Sequence, residues 1–432
     1  MRTLDSAAVR PPPVVLDDLA DPRFPDELVP LLDGMAAAAE GLELTPPALM
    51  DAASESTGLD DFGDGAFVGR LDTLCTALRE EAGLSPGGLV SLHAQLVGML
   101  RNRLLHQDLL TRHPEILDVP IERPLVIAGL PRTGTTHLHN LLAADPALRS
   151  LPYWESLEPI LPEDEWAAVA GGAPDPRPER CQLGLDVVNG VLPHFRRMHD
   201  MTVEHVHEEI QLLAMDVSTM LFETLALVPS WRDDYLATDQ TPSYGYLKTV
   251  LQALQWLRGG ARWVLKSPQH IEQFGPLMAV FPDATVVVTH RDPVAVTTSV
   301  VTMLTYTARL QVARPDPVVI GHYWADRVER MLRACADDRD LVPAEQSLDV
   351  RFSEFMADDV AMVGRIYGVA GQPFTPEVVA AMRAFMDEHP RGRHGGVRYD
   401  LGTFGLDAGE LRERFRFYVE RFGVAAEATG GG

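Results

Sequence analysis

Residues Pro124 to Leu142 read PLVIAGLPRTGTTHLHNLL: an apolar, β-branched run, a turn framed by Gly129 and Gly134, then an amphipathic stretch. Few chain geometries accommodate that order. A short run that is apolar throughout, with no alternation, predicts a strand covered on both faces, as in a parallel sheet with helical crossovers. The turn then delivers the chain into the first turn of a helix, whose unpaired N–H groups face back towards the strand end.

Three further runs repeat the pattern. RWVLK (262–266), ATVVVTH (284–290) and LDVRF (348–352) are each followed by a stretch with helical periodicity. The expected fold is therefore α/β, a P-loop-like three-layer arrangement with a mostly parallel central sheet. Ahead of it, residues 1–118 carry apolar residues at helical spacing and predict an α-helical N-terminal region. The α/β part is expected over 119–432, with a helical insertion at 150–260 that includes EHVHEEIQLLAMDVSTMLFE. The N-terminal helices could pack on the core or join subunits as a homo-oligomer.

The loop itself makes a chemical statement. Glycines let backbone N–H groups approach an anion closely, and the helix dipole favours negative charge by about 0.3–2 kcal/mol. Nucleoside triphosphatases place a lysine directly after the second glycine, but Thr135 stands there in this chain. The base within the loop is Arg132, which can clamp an oxyanion bidentately and stays charged. A second grip is expected where VVVTHRDPVAVTTS places Arg291 past a strand end and Ser299 on the next helix.

Composition narrows the partners. Among 432 residues, 62 acids outnumber 37 bases for a net charge of −25. Nucleic acid is excluded as a bulk partner, because backbone binding needs a basic surface. An anionic ligand must then be held by a local cationic exception. Lys248 and Lys266 are the only lysines, and Lys266 ends a predicted strand. Cys75, Cys181 and Cys335 match no metal spacing and are expected to be reduced thiols. No signal-peptide core and no run of membrane-spanning length is visible, so a cytoplasmic protein is expected.

With these motifs in view, the sequence resembles the PAPS-dependent sulfotransferase family, in its bacterial branch. GLPRTGTTHLHNLL resembles the family's 5′-phosphosulfate loop, THRDPVAVTTS its 3′-phosphate site, and WVLKSPQH its lysine- and histidine-bearing strand end. HPRGRHGGVRYDLGTFGLDAGELRERFRFY resembles the late loop and closing helix of the bacterial members. The resemblance implies that Arg132, Thr133, Gly134, Thr135 and Thr136 hold the 5′-phosphosulfate. It also implies that Arg291 and Ser299, with Arg391 and Arg393, hold the 3′-phosphate.

The implied reaction moves a sulfuryl group in line from PAPS to a hydroxyl or amine of a small, apolar acceptor, leaving PAP and using no metal. Arg132 and Lys266 would stabilise the leaving phosphate, and His270 would take the acceptor's proton. Glu155 and the EHVHEE cluster (204–209) are further base candidates. On a helix, His205 and His207 would face different sides, which argues against a metal site there. Two rival readings stay open: a kinase-like phosphotransferase, and a catalytically silent nucleotide-binding protein.

Overall fold

The computed structural model describes residues 11–427. Its centre is a sheet of four parallel strands, β1 (Leu125–Ala128), β2 (Val264–Ser267), β3 (Thr285–His290) and β4 (Ser347–Arg351), in the order β2-β1-β3-β4. Every residue of β1, β2 and β3 is buried, as their unbroken apolar runs require. Each strand lies within a residue or two of its expected place.

Alternate side chains feed two separate cores, which is the signature of three layers. Val126, Ala128, Leu265, Val286 and Val288 point into one apolar cluster. Leu125, Ile127, Val264, Val287 and Val350 point into the other, against Leu138, Leu141 and Leu142 of the helix Thr135–Ala143 and Ile366 of the helix Asp359–Ala370. The first cluster also contains Leu49, Phe67, Leu71 and Leu96 of the N-terminal helices Pro46–Thr57, Phe67–Glu80 and Pro86–Arg112. The N-terminal helices and the sheet thus share one continuous core.

The strand order fixes where a ligand can sit. The chain leaves β1 to add β2 on one side, then crosses to add β3 on the other. The loops that leave β1 and β3 therefore head in opposite directions and open a crevice above these two adjoining strand ends. Arg132 follows β1 and Arg291 follows β3, so the topology delivers both to that crevice.

One element departs from expectation. The segment around EHVHEE is not helical: His205 to Glu208 run through irregular backbone, with Val206 bridged to Pro152, and a five-residue helix begins only at Ile210. The bridge to Pro152 holds this stretch out of a helix. Residues two apart can then share a side, and the rings of His205 and His207 lie 5.8 Å apart.

Candidate active site

Three close contacts set the shape of the loop after β1. A Cβ on Gly129 would lie 2.0 Å from the Thr289 hydroxyl of β3, so only glycine lets the two strand ends converge. Thr133 Oγ1 donates to the Leu130 carbonyl at 2.6 Å and also meets Thr289 Oγ1 at 2.7 Å. Gly134, at φ 90°, turns the chain into the helix Thr135–Ala143. Arg132 also lies in the left-handed region, at φ 71°, where a side chain is disfavoured.

That backbone leaves donors free. Among the described residues, none of the N–H groups from Arg132 to Thr136 is donated to another protein group. Free amides at a strand-to-helix turn are the kind of donor set that can take an oxyanion.

The two predicted anion grips meet. Arg291 Nη1 donates to the Arg132 carbonyl at 2.7 Å, and Arg132 Nε donates to Ser299 Oγ at 3.0 Å. Arg132 also hydrogen-bonds the Met198 carbonyl. Arg132, Thr136, Arg291, Ser299 and Arg393 all line one cavity of about 1260 Å³. Thr133 and Thr135 are buried within the loop wall.

Arg391 is held beside the cavity by Asp359 at 2.6 Å and by His137 at 2.8 Å. Arg393 pairs with Asp200, as does His394. Burial works against the charge on Asp200, but the hydrogen bonds from Arg393 and His394 outweigh it and hold its carboxyl below the usual range.

Lys266 and His270 sit behind this wall. Lys266 is buried and its ammonium pairs with Glu208, while its backbone N–H donates to Glu209 Oε2 at 2.8 Å. His270 lies on the 3₁₀ turn Pro268–Glu272 with 0% of its surface exposed. Both its nitrogens are engaged: Nδ1 with the Tyr244 hydroxyl at 2.7 Å, Nε2 with Glu209. The ring is sealed in a Tyr244–His270–Glu209 chain and does not line the cavity. The sequence marks its place after β2 but not the direction in which a tight 3₁₀ turn aims it. Glu155 is likewise fully buried, neutralised by Arg149 and Arg258.

Of the lining residues that the 150–260 insertion contributes, Glu204 and His205 belong to the EHVHEE cluster of base candidates, whereas Arg196, Arg197, Met198 and His199 were announced by no motif. Adjacent arginines in VLPHFRRMHD were the one available signal, in a chain where arginine is common. Among the described residues, neither His199 nor His205 has a side-chain hydrogen bond, and His205 Nε2 is buried without a partner. Burial first, and the Lys266 ammonium second, push the His205 pKa down to about 4, so its ring is neutral near pH 7. His139, His199 and His207 are pushed well below their ordinary value in the same way, chiefly by burial. Among the described residues, no group of three or more His, Cys, Asp or Glu is arranged to hold a metal ion, and no helix is long and apolar enough to cross a membrane.

A parallel sheet of this order, with a glycine-framed strand-to-helix loop and arginines past two neighbouring strand ends, defines a P-loop-like fold. The family model for sulfotransferases matches residues 124–376, more than half of the chain. The chain belongs to the sulfotransferase family. Its structure is similar to that of sulfotransferase STF1 from Mycobacterium tuberculosis H37Rv, at 32% identity and a TM-score of 0.74, over 85% of this chain and 97% of that one. It is also similar to sulfotransferase STF9 from Mycobacterium avium, at 26% identity and a TM-score of 0.77, over 90% and 99% of the two chains. A search of the curated proteins finds no match.

Proposed function

We propose that this sulfotransferase uses PAPS as donor and transfers the sulfuryl group to a hydroxyl or amine of a small, largely apolar acceptor. The observation that carries the reading is the contact between the two grips, Arg291 to Arg132 and Arg132 to Ser299, above a row of undonated amides. That donor set suits a ligand with two separate anionic groups on one nucleoside. The amides of Arg132 to Thr136 and the Arg132 guanidinium would hold the 5′-phosphosulfate. Arg291 and Ser299 would hold the 3′-phosphate, with Arg393 at the rim. When bound, PAPS supplies an activated sulfuryl group on a phosphate leaving group.

The chain's own residues divide the remaining work. Arg132 lies where charge grows on the leaving phosphate and stabilises it without a proton transfer. Lys266, its ammonium paired with Glu208 and its backbone N–H held by Glu209, the partner of His270, stands behind the loop and contributes positive potential from there. His205 takes the acceptor's proton: it lines the cavity with Arg132, its ring is neutral, and no protein group occupies it. His270 then serves as a positioning residue, since its ring has no path to an acceptor. Met198, Val206, Phe385, Leu401 and Leu406 on the cavity wall favour an apolar acceptor body.

Two measurements test this. PAP at 100 times its dissociation constant is expected to add about 2.7 kcal/mol of stability without magnesium. A melt shifted by Mg-ATP and not by PAP would instead select a phosphotransferase. The His205→Ala variant is expected to lose about 10²- to 10⁴-fold in kcat while keeping its PAP affinity. Wild-type turnover in that variant would remove His205 from the reaction.

A further inference from the structure

The chain end comes back to the donor site. After the helix Arg416–Phe422, Gly423 turns the backbone at φ 61°, and Val424 packs into the core. The Glu427 N–H then donates to Asp292 Oδ2 at 2.7 Å. Asp292 is itself fixed, because its other oxygen caps the helix Pro293–Thr307 through the Val294 N–H at 2.9 Å.

This anchoring lays the Glu427 carboxylate on Arg291 as a two-bond fork, Nε to Oε1 at 2.7 Å and Nη2 to Oε2 at 2.8 Å. Two groups hold the guanidinium ready for such a partner. Its third nitrogen, Nη1, donates to the Arg132 carbonyl, and its plane lies 4.1 Å from the Phe352 ring centroid. A planar fork so held takes a carboxylate or a phosphate with the same geometry. Glu427 and Arg291 both line the cavity, with side chains 35% and 22% exposed, so water can reach the pair.

We infer that Glu427 is a gating residue of the donor site: its carboxylate occupies the Arg291 fork in the place of a 3′-phosphate, and the donor must displace it. The inference rests on the reading of Arg291 as the 3′-phosphate grip. A phosphate dianion carries more charge than a carboxylate and wins the fork, while Val424, packed in the core three residues earlier, keeps Glu427 close enough to return. Its return competes with PAP after the transfer and favours product departure. PAP affinity is therefore reduced by the fraction of molecules in which the fork is closed. A nucleotide with a free 3′-hydroxyl does not contend for the fork and is indifferent to residue 427.

The test uses the full chain and its Glu427→Gln variant, titrated calorimetrically with PAP and with 5′-AMP. The variant is expected to bind PAP about 2- to 5-fold more tightly, the range of a part-exposed ion pair, and to bind 5′-AMP unchanged. Hydrogen exchange at the Glu427 amide, whose N–H donates to Asp292, is expected to speed up in the wild-type chain on addition of PAP. Equal PAP affinity in the two chains, weaker binding in the variant, or an equal gain for PAP and 5′-AMP would each overturn the gate, the last by reducing it to removal of a negative charge. A Glu427 amide that PAP does not release would do the same. Failure of both chains to bind PAP overturns the donor reading itself, and this inference with it.

Discussion

Arg132 concentrates three tasks in one residue. Its left-handed backbone aims its carbonyl at Arg291, its Nε at Ser299 and its terminal nitrogen at Met198. A lysine keeps the charge but has one ammonium for these directions. Arg132→Lys is therefore expected to weaken PAP binding about 10- to 100-fold, the worth of one or two charge-assisted hydrogen bonds, which calorimetry would read directly. His205 gives a second prediction at this scale. Its pKa of about 4 in the free chain reflects burial and Lys266. A bound polyanion offsets the Lys266 charge, so PAP should raise that pKa, visible in the histidine ring resonances across a pH titration. A downward shift, or none, would place His205 away from the phosphates. Arg132, Thr136, Arg291 and Ser299 were legible in the sequence because each sits a fixed few residues past a strand end. His199 was not, and His205 was legible only as one member of the EHVHEE cluster of base candidates, since both arrive from an insertion whose path over the crevice no local pattern encodes.

At the scale of elements, the convergence of β1 and β3 is what brings the two grips within one hydrogen bond of each other. That convergence depends on Gly129, where an added Cβ would meet Thr289 Oγ1 at 2.0 Å and Thr133 Oγ1 at 3.1 Å. Gly129→Ala is expected to lower stability by about 1–3 kcal/mol through overpacking, and to weaken PAP binding because the amide row shifts. Thr289→Ala in the same chain removes the closest obstacle and should restore part of the melting temperature. No recovery in the double variant would mean that Gly129 is needed for another reason. β1 and β3 could be read in advance because a buried parallel strand is a largely continuous apolar run, which needs no knowledge of its neighbours; β4, with Asp349 and Arg351 exposed, is the edge strand and carries a weaker signal. The composition of 204–208 suits a helix, yet the backbone there is not helical. Only the bridge from Val206 to Pro152, distant in sequence, holds it extended.

Across the whole molecule, function and stability are coupled through histidines kept neutral. His106, His139, His205 and His207 are all buried, each with at least one ring nitrogen that finds no partner. Burial is the main cause that pushes His106 and His205 down to about 4 and His139 and His207 well below the ordinary value. In the unfolded chain each would titrate near 6.5. Above that pH both states hold neutral rings and the full stability is present. Below it the unfolded state binds protons that the folded state refuses, so stability falls as pH drops from about 6.5 towards about 4. Each histidine contributes a loss approaching about 1.4 kcal/mol per pH unit within that window. The melting temperature is therefore expected to hold steady from pH 8 to 7 and to fall steeply between pH 6.5 and 5. A melting temperature that stayed flat or rose over that lower interval would show that these rings accept protons in the folded chain, and would count against a neutral His205 as the base.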